Sequence, residues 1–167
     1  DYVNISNCTA TGNGGALHIN GSVSSTLNHI NISNCSAGAG GGIYMSSSGS
    51  FTLNSSSISN CSGNGLYLGG AGANTITSCT ISGCAAADGA AILIVSTAGS
   101  TTVNSSTITG NKGVNNELGG TVRSYGTTVS TATFNNCNIY NNSSPQHGGG
   151  FYWNAGGSSK LTINSCN

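Results

Sequence analysis

Apolar residues recur along this chain in short alternating groups of three or four, without the 3.6-residue spacing of an amphipathic helix. One group reads Ile5-Ser6-Asn7-Cys8, Ile32-Ser33-Asn34-Cys35, Ile58-Ser59-Asn60-Cys61, Ile81-Ser82-Gly83-Cys84 and Ile108-Thr109-Gly110-Asn111, with a looser copy at Ile139-Tyr140-Asn141-Asn142. Successive isoleucines lie 27, 26, 23, 27 and 31 residues apart. A second group follows each first one: Leu17-His18-Ile19, Ile43-Tyr44-Met45, Leu66-Tyr67-Leu68, Ile92-Leu93-Ile94, Val122-Arg123-Ser124 and Phe151-Tyr152-Trp153, most of them entered through glycines. A third precedes the next isoleucine: Thr26-Leu27-Asn28, Thr52-Leu53-Asn54, Thr75-Ile76-Thr77, Thr102-Val103-Asn104, Thr133-Phe134-Asn135 and Thr162-Ile163-Asn164. Each repeat therefore carries three period-two strands separated by Gly, Ser and Asn, which suit turns.

This pattern predicts an all-β fold, a right-handed parallel β-helix (solenoid) of about six coils with three short strands per coil. Apolar residues face inward, and like stacks on like from coil to coil at roughly 4.8 Å. Coils of unequal length favour the right-handed form, because left-handed ones keep strict six-residue faces. Residues 1–167 read as a single β-helix domain, and as an excerpt or repeating unit of a longer solenoid, since neither end carries a capping helix or polar coil. The register is least defined in the fifth coil, where Lys112 to Leu118 lengthen a loop and Ser124 stands at an apolar place.

Only 4% of the residues are charged, against about 25% in an average globular protein. With Lys112, Arg123 and Lys160 as its only basic residues besides histidine, the chain lacks the positive footprint that nucleic acid requires. No apolar run approaches the roughly 18 residues of a membrane-spanning helix, so no membrane insertion is expected in this segment. The outward rows hold Thr, Asn and Ser, and their edges lack the charges that normally oppose strand-to-strand association. Copies of the same chain, in a fibre or filament, are the partners this surface suggests.

The seven cysteines fall in two vertical rows: Cys8, Cys35, Cys61 and Cys84 in one, and Cys79, Cys137 and Cys166 in the other. Bridges between adjacent coils, such as Cys8 with Cys35, Cys61 with Cys84 and Cys137 with Cys166, are within reach. Free thiols stacked in register would serve equally as small core residues. Ten Asn-X-Ser/Thr sequons, at Asn4, Asn7, Asn20, Asn31, Asn34, Asn54, Asn60, Asn104, Asn141 and Asn142, fall on outward or corner positions and mark covalent N-glycans as a further expectation.

The second strands align His18, Tyr44, Tyr67, Leu93, Arg123 and Tyr152 in one outward row, a possible binding face for a protein or a glycan. Catalytic chemistry finds little support. Asp1, Asp88 and Glu117, the only acids, share no row, His18, His29 and His147 occupy different coil positions, and no Cys/His spacing suits zinc. The expectation is a protein without enzymatic activity, cofactor or metal.

Gly14-Gly15-Ala16-Leu17 and Phe51-Thr52-Leu53-Asn54 resemble the Gly-Gly-Ala-Ile and Phe-x-x-Asn signatures of polymorphic outer-membrane and adhesin repeats, within the pectin-lyase-like right-handed β-helix superfamily. The resemblance implies the fold and a place on surface proteins. Enzymes of that superfamily work through clustered carboxylates, which this chain lacks. Two functions follow as expectations: a non-enzymatic structural protein of an extracellular or cell-surface fibre, rigid and N-glycosylated, assembling end to end or laterally; or an adhesin, a carbohydrate-binding passenger or stalk that uses the Tyr face.

Overall fold

Strands only a few residues long cannot stand alone, so each must pair with its counterpart one repeat away. The computed structural model describes residues 2–95, 99–114, 120–126 and 130–167. Its strands build a parallel β-solenoid of about six turns, with three six-stranded sheets and no helix among the described residues. The first sheet stacks Val3–Ser6, Ile30–Ser33, Ser57–Ser59, Thr80–Ser82, Thr107–Thr109 and Asn138–Tyr140. The second stacks Leu17–Ile19, Ile43–Met45, Leu66–Leu68, Ile92–Val95, Val122–Gly126 and Phe151–Ala155. The third stacks Ser25–Asn28, Phe51–Asn54, Asn74–Thr77, Thr101–Asn104, Thr131–Asn135 and Lys160–Asn164.

Register follows the sequence columns. Ile5, Ile32, Ile58, Ile81, Ile108 and Ile139 pair in one line despite the unequal coils. Thr26, Thr52, Thr75, Thr102, Thr133 and Thr162 pair in another. Length differences are thus absorbed in the loops, because a one-residue slip would turn a whole apolar set outward. The alternate residues Ile43, Leu66, Ile92, Val122, Leu53, Ile76, Val103 and Phe134 fill the axis and are fully buried. Ser124, at an apolar place in the fifth coil, is also fully buried, and its hydroxyl is paired with that of Ser130 at 2.8 Å.

Two corners turn on one left-handed residue per coil. Between the third and first sheets these are His29, Ser55, Ser78, Ser105, Asn136 and Ser165, with φ of 47–54°. After the first sheet they are Asn7, Asn34, Asn60, Gly83, Gly110 and Asn141, with φ of 53–64°. Asn and Gly tolerate this conformation best, which accounts for the repeated Asn/Gly before the cysteine. In the next column Cys, Ser or Asn turns inward and donates to the carbonyl two residues back: Cys61 Sγ to Ser59 O at 3.4 Å, Ser106 Oγ to Asn104 O at 2.8 Å, Asn111 Nδ2 to Thr109 O at 3.1 Å. The same side chains can accept a backbone N–H from the preceding coil, as Ser56 Oγ does from Ile30 (3.0 Å), Ser106 Oγ from Cys79 (3.1 Å) and Asn111 Oδ1 from Cys84 (2.9 Å).

One ladder carries no apolar signal and was not anticipated. Parallel bridges link Thr9, Ser36, Ser62 and Ala85, and Ala85–Ala86 pairs with Lys112–Gly113. Beside it the glycine entries are steric: a Cβ on Gly41 or Gly42 would collide with the carbonyl of Ser62 or Gly65 on the next coil.

Replacing Phe134, which is fully buried and meets Phe151 edge to face at 4.9 Å, by Ala should destabilise the fold by about 3–5 kcal/mol. Thr102→Ala, on the outer side of the neighbouring strand, should stay within about 1 kcal/mol. Equilibrium denaturation of the two variants measures the contrast.

Candidate functional site

The outward row of the second sheet forms in the register its pattern requires: His18, Tyr44, Tyr67, Leu93, Arg123 and Tyr152 pair in sequence. At one end His18 meets Tyr44 edge to face at 4.9 Å, and Tyr44 stacks on Tyr67 at 4.3 Å with planes 19° apart. Burial and, after it, neighbouring Tyr44 push the Tyr67 hydroxyl upward from its ordinary pKa. At the other end His147 stacks on Tyr152 at 4.5 Å.

The middle of the row is covered. Leu93 and Arg123 are each only 5% exposed. Arg123 points away from the axis but lies under cover, its guanidinium 5.0 Å from the Tyr125 ring centre and 5.1 Å from that of Tyr152. Its Nη1 sits 2.6 Å from Asp88 Oδ1. The corner carrying Asp88 is fixed from the preceding coil by Asn64, whose amide donates to the carbonyls of Asp88 and Gly89 and accepts the Gly40 N–H. An isolated buried guanidinium is unfavourable, so the acid, the rings and the corner close over it. Spacing could not show this, because Asp88 and Arg123 belong to different coils and neither lies in a motif. The scarcity of charge, three acids and three bases in the whole chain, is the one signal that could have suggested an ion pair.

The sequon residues divide by what their amides do. Asn4, Asn7, Asn20, Asn34, Asn60 and Asn141 are exposed. Asn31 and Asn54 donate along their columns, to Asn4 Oδ1 and Asn28 Oδ1, each at 3.0 Å. Asn104 accepts from Asn135 at 2.9 Å. Asn142 is tied into the corner: its Nδ2 donates to Ile108 O at 2.8 Å while its Oδ1 accepts the backbone and side-chain N–H groups of Asn111.

All seven cysteines carry thiols in this structure. Each donates to the carbonyl two residues back. The neighbouring Cys84 thiol draws the Cys61 pKa down, and the Cys61 thiol, with burial, pushes that of Cys84 up.

For chemistry, the three histidines lie apart, each against a tyrosine: His18 on Tyr44, His29 on Tyr2 and His147 on Tyr152. Asp1 and Glu117 lie outside the described residues. Among the described residues no three His, Cys, Asp or Glu gather around a point where a metal could sit, and no cavity opens. What this surface can do is offer long rows of amides and hydroxyls.

A family model described as "Right handed beta helix region" matches residues 1–129 of this chain. No curated protein and no solved structure matches it.

Asp88 supplies a pH test. Burial raises its pKa more than Arg123 lowers it, so the folded state holds the proton more tightly than the unfolded chain does. That contribution is fully present below the ordinary aspartate pKa near 4 and is lost as pH rises through the higher folded value. The urea midpoint of the wild type should carry a downward component over that interval, and Asp88→Asn should remove it.

Proposed function

The chain belongs to the right-handed β-helix family, and from that premise we propose that it is a non-enzymatic structural protein of an extracellular or cell-surface fibre. It serves as a rigid, N-glycosylated rod whose copies associate end to end or side by side. The observation that carries this reading is the unbroken register of all three sheets over six turns, with outer columns of Thr, Ser and Asn. A rod of this kind offers length and stiffness, and its paired backbone resists proteolysis. Arg123 and Asp88 are used within the structure, which leaves the outer faces almost without charges to keep neighbouring rods apart.

The adhesin reading draws on the aromatic row. Tyr44 and Tyr67 turn their ring faces toward each other, and a sugar that stacks on aromatic faces would compete with that contact. Burial of Leu93 and Arg123 also divides the row into two short clusters. Both features favour the structural reading over the binding one.

Negative-stain microscopy of the native protein should show straight rods that join into filaments or lateral bundles. Dispersed single particles that bind an oligosaccharide saturably, with binding abolished by Tyr44→Ala and Tyr67→Ala, would overturn the proposal in favour of the adhesin. Intact-mass measurement before and after peptide-N-glycosidase treatment should reveal attached glycans. Site mapping should find them on exposed asparagines such as Asn7 and Asn34, and none on Asn142.

A further inference from the structure

The thiols stack in two columns that run across adjacent coils. In the first corner column the backbone ties successive coils together beside the thiols, Ser36 N–H donating to Cys8 O at 2.8 Å, Ser62 N–H to Cys35 O at 2.9 Å and Ala85 N–H to Cys61 O at 2.9 Å. Four thiols in one stack are all used only when Cys8 closes with Cys35 and Cys61 with Cys84, because a Cys35–Cys61 bond would strand the two at the ends. In the second column the Cys137 N–H points at Cys166 Sγ at 3.3 Å. Cys79 stands apart. Its thiol faces the carbonyls of Leu53 (3.4 Å) and Thr77 (3.2 Å), and its column neighbours are Ser56 and Ser106.

We propose that Cys8 with Cys35, Cys61 with Cys84, and Cys137 with Cys166 are sites of inter-coil disulfide formation, and that Cys79 stays a thiol. The geometry suits the bond. Residues stacked on adjacent coils are about 4.7–4.9 Å apart, inside the Cα separation of about 4.4–6.8 Å that disulfides span, and the Cβ atoms need approach by only about 1 Å to reach their usual 3.8 Å. Closure gives up two weak S–H bonds to carbonyls per pair and leaves the backbone ladder intact.

The oxidant is a small-molecule disulfide. One thiolate of a pair attacks a sulfur of that disulfide, forming a mixed disulfide and releasing one small thiol. The second thiolate then attacks the protein sulfur, the S–S bond closes, and the second small thiol leaves. Two protein thiols are oxidised and one small disulfide is reduced to two thiols, with the two protein protons ending on them. Because the pairs are largely buried in the finished fold, exchange takes place as the coils are laid down. Nothing in this chemistry depends on the fibre reading, so the two proposals stand or fall separately.

The test refolds the full chain from denaturant in a buffer of reduced and oxidised glutathione, blocks residual thiols with iodoacetamide, and maps the non-reduced peptides by mass spectrometry. Three linked pairs and one alkylated residue, Cys79, are expected. A Cys35–Cys61 link, any link to Cys79, or seven alkylated cysteines would overturn the proposal. Cys61→Ser, a residue type the neighbouring column already uses at Ser56 and Ser106, should leave Cys84 alkylated and the other two bridges unchanged; rearrangement to a different pairing would also refute it. If that variant fails to fold, the wild-type map still decides.

Discussion

Everything in this molecule answers to the hydrogen bonds that each coil makes with the next. In a parallel stack the strands satisfy their own N–H and C=O groups, but a chain that turns must leave the ladder at each corner, and a buried backbone group left unpaired is unfavourable by about 1–3 kcal/mol. The corners are therefore where the sequence is most constrained. A left-handed residue makes the turn, and an inward Cys, Ser or Asn restores the partners the turn removes, bonding to the carbonyl two residues back and, at Ser56, Ser106 and Asn111, taking an N–H from the coil before. On this view the cysteines occupy their columns because a thiol is small, tolerates burial and can still donate. Serine and asparagine do the same work where more polarity is accommodated.

The same constraint explains the surface. Once the corners and strands settle their own hydrogen bonds, the outward columns are free to repeat a single polar residue type. Amides in register then bond to one another, as in the run from Asn164 through Asn135 to Asn104. The run ends where Thr77 takes the next place. A charge repeated down such a column would face its like on every adjacent coil. Arg123, alone in its row, is covered together with its counter-ion Asp88.

The three strand columns were legible because each combines period-two alternation with recurrence at nearly constant spacing. Ile5 and Ile139, more than a hundred residues apart, fall in one line. The positions of the corner cysteines were legible for the same reason. The pairs Cys8 with Cys35, Cys61 with Cys84 and Cys137 with Cys166 were legible as one alternative beside free stacked thiols, since equal vertical spacing does not by itself choose between them. The covering of Arg123 and Leu93 was not legible, because alternation reports which way a side chain leaves the strand and not what a loop from another coil lays over it. The column through Thr9, Ser36 and Ser62 was invisible for a simpler reason: its ladder is made entirely by backbone, and its side chains carry no pattern.

The register of the stack also has a mechanical meaning. A coil of about 27 residues advances the rod by a single strand spacing of about 4.8 Å, yet the same residues drawn out straight span about 90 Å. With its thiols reduced, a rod pulled beyond the strength of one inter-coil ladder would surrender that coil and lengthen by roughly twentyfold its share, while the coils behind it stay stacked. Such a molecule yields in steps under load, holding most of its length in reserve instead of breaking at once.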